Sequence, residues 1–180
     1  MFILYAVVIG LLLGLLLGGR PAGLAALHVR FGPVMVAGLL VQVVLFSEAV
    51  TEVVGELGPP IYVASTLVVI GAVLLNLRIP GMALVALGAI SNITAIVANG
   101  GYMPADAGAM AVLGRSEPTT YSNSTILAEP ALKPLTDIFV LPPWVPFTNV
   151  FSIGDVLIAV GVVVVIVVAM RRPAGGLSPA

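Results

Sequence analysis

Five long apolar runs constrain most strongly what this chain can fold into. They cover, approximately, residues 2–18, 33–50, 60–77, 81–98 and 153–170. A transmembrane helix needs about 20 mostly apolar residues. Charged residues make up only 8% of the chain, against about a quarter in soluble domains, so the chain could not cover its own surface in water. We therefore predict an all-α, polytopic membrane bundle of about five transmembrane helices in a single domain.

Charged residues are distributed unequally between the two ends of such a bundle. Five arginines fall on one side of a five-span arrangement: Arg20, Arg30, Arg78, Arg171 and Arg172. The other side holds Arg115, Lys133 and, on it or close to it, all eight acidic residues. The positive-inside rule places the arginine side in the cytoplasm. The sequence thus predicts an N-terminus outside the cell membrane and a cytoplasmic C-terminus, with a disordered tail at residues 173–180.

Residues 99–152 are the one long segment between these runs, and we predict that they form a folded cap outside the membrane. The segment contains too many apolar side chains to remain a free loop, and structureless loops of this length are uncommon. We expect two short helices in it, near residues 106–113 and 135–140. Asp106 is suited to the N-cap of the first helix, and Gly114 is suited to end it.

Each end of the cap carries a short motif. Gly100-Gly101 permits positive φ angles and a sharp chain reversal. Ser152-Ile153-Gly154-Asp155 fits a capping box, and this structural role accounts for Asp155 without any function. We expect the two ends to be neighbours, with Gly101 close to Ile153.

The fourth apolar run is the most polar of the five. Asn92 and Asn99 are seven residues apart on one helix face, and polar side chains in lipid normally face the bundle interior. Interhelical hydrogen bonds are one explanation, and a ligand-lined cavity beneath the cap is the other. Asn99 is also expected to form a hydrogen bond with backbone groups at the start of the last helix, which have no partner within that helix. The candidate ligand-binding residues are Asn92, Asn99, Tyr102, Asp137 and Asp155.

Three glycines in the first run have the four-residue spacing that lets helix backbones approach closely. They are Gly10, Gly14 and Gly18. The spacing fits packing within the chain, or contact with a second copy or another membrane protein.

Metal sites have little support in this sequence. There is no cysteine and only one histidine, His28, which excludes thiolate sites and a multi-histidine site within one chain. Glu48, Glu52 and Glu56 recur at spacings of four, and Glu48, nearest the hydrocarbon, is the candidate ligand for a cation. We predict no cofactor.

Four stretches of the chain carry a family resemblance. They are residues 99–104 (Asn-Gly-Gly-Tyr-Met-Pro), 135–138, 149–158 (containing Ser-Ile-Gly-Asp-Val-Leu-Ile) and 14–20. At these stretches the chain resembles a family of small bacterial integral membrane proteins of unknown function. The resemblance implies about five helices in a bacterial cell membrane. It implies no catalytic residue.

Three classes of function are compatible with these features. The first is a binding or accessory component with its site between the cap and the fourth and fifth transmembrane helices. The second is an intramembrane enzyme acting on a lipid-linked substrate, with Asp106, Asp137 or Asp155 as base; no nucleophile–base pair or phosphate loop supports it. The third is a pore or carrier subunit, which lacks a mid-membrane acid. We predict the first, with no nucleic-acid partner because the chain has no basic run.

Overall fold

The computed structural model of the chain describes residues 2–114 and 124–172, and it is mostly helical. The α-helices of this part are α1 (Phe2–Leu16), α2 (Ala22–Ala25), α3 (Gly32–Leu45), α4 (Glu48–Val54), α5 (Gly58–Leu74), α6 (Met82–Ala98), α7 (Ala107–Val112) and α8 (Ile153–Arg171). The described residues of the cap form four two-residue strands: β1 (Met103–Pro104), β2 (Ser124–Thr125), β3 (Phe139–Val140) and β4 (Val150–Phe151). The tail predicted to be disordered, residues 173–180, lies outside the described residues.

Two of these helices are long and apolar enough to cross a bilayer. The helical stretch Gly55–Leu74, which joins a 3-10 turn to α5, has 20 residues with a mean hydropathy of 1.9, and α8 has 19 residues with a mean hydropathy of 2.9. At 1.5 Å per residue each is close to the ~30 Å of a bilayer core. Helices α1, α3 and α6 are apolar but shorter, with 15, 14 and 17 residues.

The second apolar run, predicted over residues 33–50, does not form one continuous helix. Helix α3 ends at Leu45, and the chain turns at Ser47 before α4 begins. The Ser47 hydroxyl donates to the carbonyl of Val44 over 2.7 Å, a local bond of the kind that competes with helix continuation. Glu48 therefore belongs to a separate helix. The side chains of Glu48 and Glu52 lie outside the described part of the chain, so the metal site predicted at Glu48 stays a prediction.

Helix α8 contacts α1 on one side and α6 on the other, and α1 runs parallel to it because Gly10 meets Ile166 and Gly14 meets Met170. A Cβ added at Gly10 would touch Ile166, and one added at Gly14 would press on Met170. These two glycines are thus covered by α8 within one chain. Gly18 lies beyond the end of α1, and a Cβ there would have open space around it. Packing within the chain accounts for two of the three glycines, and contact with a second copy through them stays a prediction.

Helices α6 and α8 cross at a seam made of glycines spaced seven residues apart. A Cβ at Gly88 would overlap the carbonyl oxygen of Gly154, and one at Gly81 would overlap that of Gly161. Only glycine lets two helix backbones approach this closely. Because residue numbers rise along α6 as they fall along α8, the two helices are antiparallel, and this register brings Asn92 beside the start of α8.

Polar side chains join α3 to α5, which also run antiparallel. The Gln42 amide donates to the hydroxyls of Ser65 over 3.3 Å and Thr66 over 3.1 Å. Tyr62, one turn before Ser65 in α5, is buried with Ile96 and with Met103 from the cap. The start of α5, the end of α6 and the cap therefore share one apolar core.

The cap pairs its strands across long stretches of chain. Strand β1 pairs in parallel with β2, and β3 pairs antiparallel with β4. The predicted first helix is confirmed as α7, with the Asp106 side chain accepting from the backbone N–H of Ala109 and Gly114 at a φ of 62° just beyond its end.

The prediction of a second cap helix near residues 135–140 is wrong. A 3-10 turn, Lys133–Leu135, is followed by strand β3 instead. Phe139 of that strand stacks on Phe151 of β4 with ring centroids 5.5 Å apart, so long-range pairing decides the conformation here.

The two ends of the cap are not neighbours in the way the sequence predicted. Gly100 and Gly101 have the expected positive φ angles of 72° and 93°. A Cβ at Gly101, however, would overlap Pro59 at the start of α5. Helix α8 begins beside Asn92, nine residues earlier in the chain, which at the helical rise is roughly 13 Å back along α6. The expected contact of Gly101 with Ile153 is therefore wrong.

Candidate functional site

Three polar side chains meet where α8 begins beside α6. The Asn92 amide donates to Asp155 Oδ1 over 2.9 Å, and the Ser152 hydroxyl lies 2.8 Å from Asn92 Oδ1, to which it donates. Asp155 Oδ2 lies 3.1 Å from the same hydroxyl, so the three side chains close a ring. We call Asn92, Ser152 and Asp155 the polar ring.

The capping box predicted at the start of α8 is confirmed, and it holds two members of the polar ring in place. The backbone N–H of Asp155 donates to the Ser152 hydroxyl over 3.1 Å, and the backbone N–H of Ser152 donates to Asp155 Oδ2 over 3.0 Å. Ser152 is completely buried. A Cβ at Gly154 would overlap the amide oxygen of Asn92. Because Gly154 has no side chain, there is room for Asn92 in the polar ring.

Asp137 lies in the cap, close enough to interact electrostatically with the polar ring. Its backbone N–H donates to the carbonyl of Pro104 over 2.9 Å, and its carbonyl accepts from the N–H of Asp106 over 2.9 Å. Its side chain is only 7% exposed. Within the described residues, Asp137 Oδ1 has no hydrogen-bond partner.

Burial, and to a smaller extent the negative charge of Asp155, together raise the pKa of the Asp137 carboxyl from 3.8 to about 7. Removing a carboxylate from water disfavours its charged form, and a neighbouring like charge has the same effect. Asp137 is therefore poised to gain or lose a proton near neutral pH. Groups with such a property cluster at functional sites.

The two other candidate residues have different surroundings. Asn99 donates to the carbonyls of Ala95 over 2.8 Å and Ala131 over 2.9 Å, and it accepts from the N–H of Ala131 over 2.8 Å. The two bonds to the backbone of Ala131 fasten the cap to the end of α6. The predicted bond from Asn99 to the start of α8 is therefore wrong. Tyr102 is half-buried between the buried residues Gly101 and Met103.

A small cavity of about 150 Å³ lies in the cap beside Asp137. Thr136 and Ile138, its two neighbours in the chain, line this cavity together with Asp106 and Lys133. The ammonium of Lys133 lies 3.7 Å from Asp106 Oδ2, so Lys133 forms an ion pair with Asp106. No group of three or more histidine, cysteine or acidic residues suited to a metal ion occurs in the described part of the chain.

Sequence reasoning missed the direct bond between Ser152 and Asn92, and it missed the role of Gly154. A signal was present in the seven-residue spacing shared by Gly81 with Gly88 and by Gly154 with Gly161. Two glycine pairs with one spacing in consecutive long helices predict a close crossing. Such a crossing would have aligned Asn92 with the start of α8.

Comparison with known protein families matches residues 26–167 to a family of unknown function, DUF5317. The chain belongs to the DUF5317 family. The match includes all five candidate residues and the whole described cap, whereas α1 lies outside it. The prediction that the chain belongs to a family of unknown function is confirmed. Searches of curated proteins and of solved structures found no protein similar to this DUF5317 chain.

Proposed function

We propose that this DUF5317 protein is a multi-pass protein of the bacterial cell membrane that acts as a binding or accessory component. Five helices, α1, α3, α5, α6 and α8, would cross or enter the bilayer. The N-terminus would lie outside and the C-terminus in the cytoplasm. The ligand would bind between the cap and the ends of α6 and α8, at Asp137 and the polar ring.

Exposed apolar side chains support the membrane assignment. Leu12, Val43 and Leu87 are 55%, 69% and 57% exposed, and many leucines and valines on the outward faces of these helices are similar. Soluble monomers rarely expose contiguous apolar patches of this extent. Trp144, 83% exposed at the edge of the cap, is the residue type favoured at a membrane interface.

The directions of the five helices support the proposed topology. Helices α1, α5 and α8 run one way, and α3 and α6 run the other, as the contacts between α1 and α8, α6 and α8, α3 and α5, and α5 and α6 require. Arg171 at the end of α8 and Arg78 after α5 consequently lie at the end of the bundle opposite the cap. The positive-inside rule puts that end in the cytoplasm.

The observation that carries the binding proposal is the buried carboxyl of Asp137. Its Oδ1 lacks a partner within the described residues, and a buried polar atom without a partner calls for an explanation. The nearby basic side chain, Lys133, is directed to Asp106. A second carboxyl, that of Asp155, is close enough to raise the pKa of Asp137. A ligand with a positive charge or an N–H donor, such as a primary amine, would complement both.

The test is to purify the protein from its native membrane and to detect bound small molecules by native mass spectrometry. We compare wild type with Asp137→Asn, and use Glu129→Gln, which alters an exposed carboxylate of the same cap, as the matched control. We expect a bound species on wild type and on the control, and its loss from Asp137→Asn. Circular dichroism establishes that the variant stays helical. Equal retention by Asp137→Asn, or no bound species on wild type, would contradict the proposal.

A second candidate function, an intramembrane enzyme acting on a lipid-linked substrate, is favoured by one further feature. An apolar cavity of about 530 Å³ lies between α1, α8 and residues 141–145, and Val156, next to Asp155 in the chain, lines it. The Tyr5 hydroxyl donates to the carbonyl of Pro146 at one edge. A lipid chain in this cavity would extend towards Asp155, and the raised pKa of Asp137 suits a general acid or base.

Filling the cavity tests this second function. Val160 lines it and is 48% exposed, so Val160→Trp can be introduced with little effect on the core. We expect wild type to co-purify with a lipid-linked compound and Val160→Trp to lose it. A wild-type preparation without such a compound would contradict this function.

A further inference from the structure

A second concave site lies at the end of the bundle opposite the cap. It is a cavity of about 480 Å³ lined by His28 and Arg30, which precede α3, and by residues 74–79, which begin with the last residue of α5. Arg78 belongs to that segment. We call this site the basic hollow. It shares no residue with the proposed ligand site.

A buried side chain builds the frame of the basic hollow. Asn76 is only 3% exposed, and its amide oxygen accepts from the backbone N–H of Arg30 over 2.8 Å. Its amide nitrogen donates to the carbonyl of Arg30 and to that of Ala72, each over 2.8 Å. Because one side chain binds both backbone groups of Arg30, the two connections that carry Arg30 and Arg78 are held together. Arginines that serve only to set membrane orientation need no such anchor.

The charge of the basic hollow is uncompensated within the described part of the chain. No acidic residue lines it. The one side-chain ion pair among the described residues, Lys133 with Asp106, is in the cap. His28, Arg30 and Arg78 are all exposed. Two guanidinium groups in a concave frame suit a phosphate, which arginine binds with paired hydrogen bonds.

We propose that the basic hollow binds a phosphate group, carried by the headgroup of an anionic membrane lipid. The phosphate chemistry follows from the arginines alone. That the phosphate belongs to a lipid is an inference separate from the proposed ligand site. It rests on the membrane placement proposed above, in which this end of the bundle lies at the cytoplasmic leaflet. Basic pockets between helices at that leaflet are typical sites for anionic lipid headgroups.

The experiment uses the full chain in a neutral detergent, with dioleoyl phosphatidylglycerol, dioleoyl phosphatidylcholine or sodium phosphate added. Lipid binding is measured by native mass spectrometry, and stabilisation by the melting temperature. The test variant is Arg30→Gln with Arg78→Gln, and the matched control is Arg172→Gln, which removes an exposed arginine of the same end that does not line the hollow. Surface arginine-to-glutamine changes leave the core intact, so the test variant is expected to fold.

We expect phosphatidylglycerol to bind wild type and the control equally well. It should bind the double variant at least roughly tenfold more weakly, since each hydrogen bond to a charged group is worth about that factor. Equal weakening in the double variant and in Arg172→Gln would mean non-specific attraction and would overturn the proposal. So would equal binding of phosphatidylcholine, whose headgroup has no net charge. Stabilisation by free phosphate alone, lost in the double variant, would support the phosphate site and overturn its lipid source. Asp137→Asn should bind phosphatidylglycerol like wild type, which separates this site from the proposed ligand site.

Discussion

Replacing Asp137 with asparagine should remove a specific pH dependence from the stability of this protein. The pKa of Asp137 is about 7 in the folded protein against 3.8 for an unperturbed aspartate. Between these values the folded state binds a proton that the unfolded state releases. The free energy of unfolding therefore falls as the pH rises through this window, and the cost is complete above pH 7. Asparagine keeps the size of the side chain and cannot titrate.

The magnitude follows from the same two pKa values. The difference between 3.8 and about 7 corresponds to roughly 4 kcal/mol between the two ends of the window. For a protein of this size, that is a change in melting temperature on the order of 10 °C. Wild type and Asp137→Asn should melt at similar temperatures near pH 4, and the variant should be the more stable one at pH 8.

The assay is thermal unfolding in a neutral detergent, followed by far-UV circular dichroism at half-unit steps from pH 4 to pH 8. Other titrating groups are the same in both proteins, so the difference between their melting temperatures isolates Asp137. Glu129→Gln, an exposed carboxylate of the cap, should keep the wild-type profile. A difference between wild type and Asp137→Asn that stays constant across this pH range would refute the assignment of a buried, proton-binding Asp137.

Three further predictions test the helix packing and the topology. Gly154→Ala should lower stability by about 1–3 kcal/mol because its methyl group would overlap Asn92. The control Gly71→Ala, where a Cβ meets nothing within 4 Å, should not lower it. Equal melting temperatures of the two variants would contradict the close crossing. Asn92→Leu should cost about 1–3 kcal/mol by leaving its partners at the start of α8 unsatisfied; an unchanged melting temperature would exclude a structural role. A reporter active only in the cytoplasm should give signal when fused after Arg172 and none after Ser116; signal after Ser116 would overturn the orientation.

Local features of the candidate site could be predicted from the sequence. The capping box at Ser152 and Asp155 and the N-cap at Asp106 depend on residues within three positions of each other. The interior position of Asn92 followed from its polarity within an apolar run. Its partners could not be predicted, because they depend on the register between two helices that are some sixty residues apart in the chain.

By itself, the sequence determined that the chain is mostly apolar and helical, that most of its arginines and acids lie in separate connections, and where the chain reverses at Gly100-Gly101. These properties come from composition and from local backbone preferences. The tertiary structure alone decided that α8 packs between α1 and α6, that residues 139–140 form a strand, and that Asp137 is buried beside Asp155. Burial of Asp137 requires the cap strand at Pro104 to pair with it across more than thirty residues. Its raised pKa therefore depends on the surroundings that folding supplies, and no local sequence pattern encodes those surroundings.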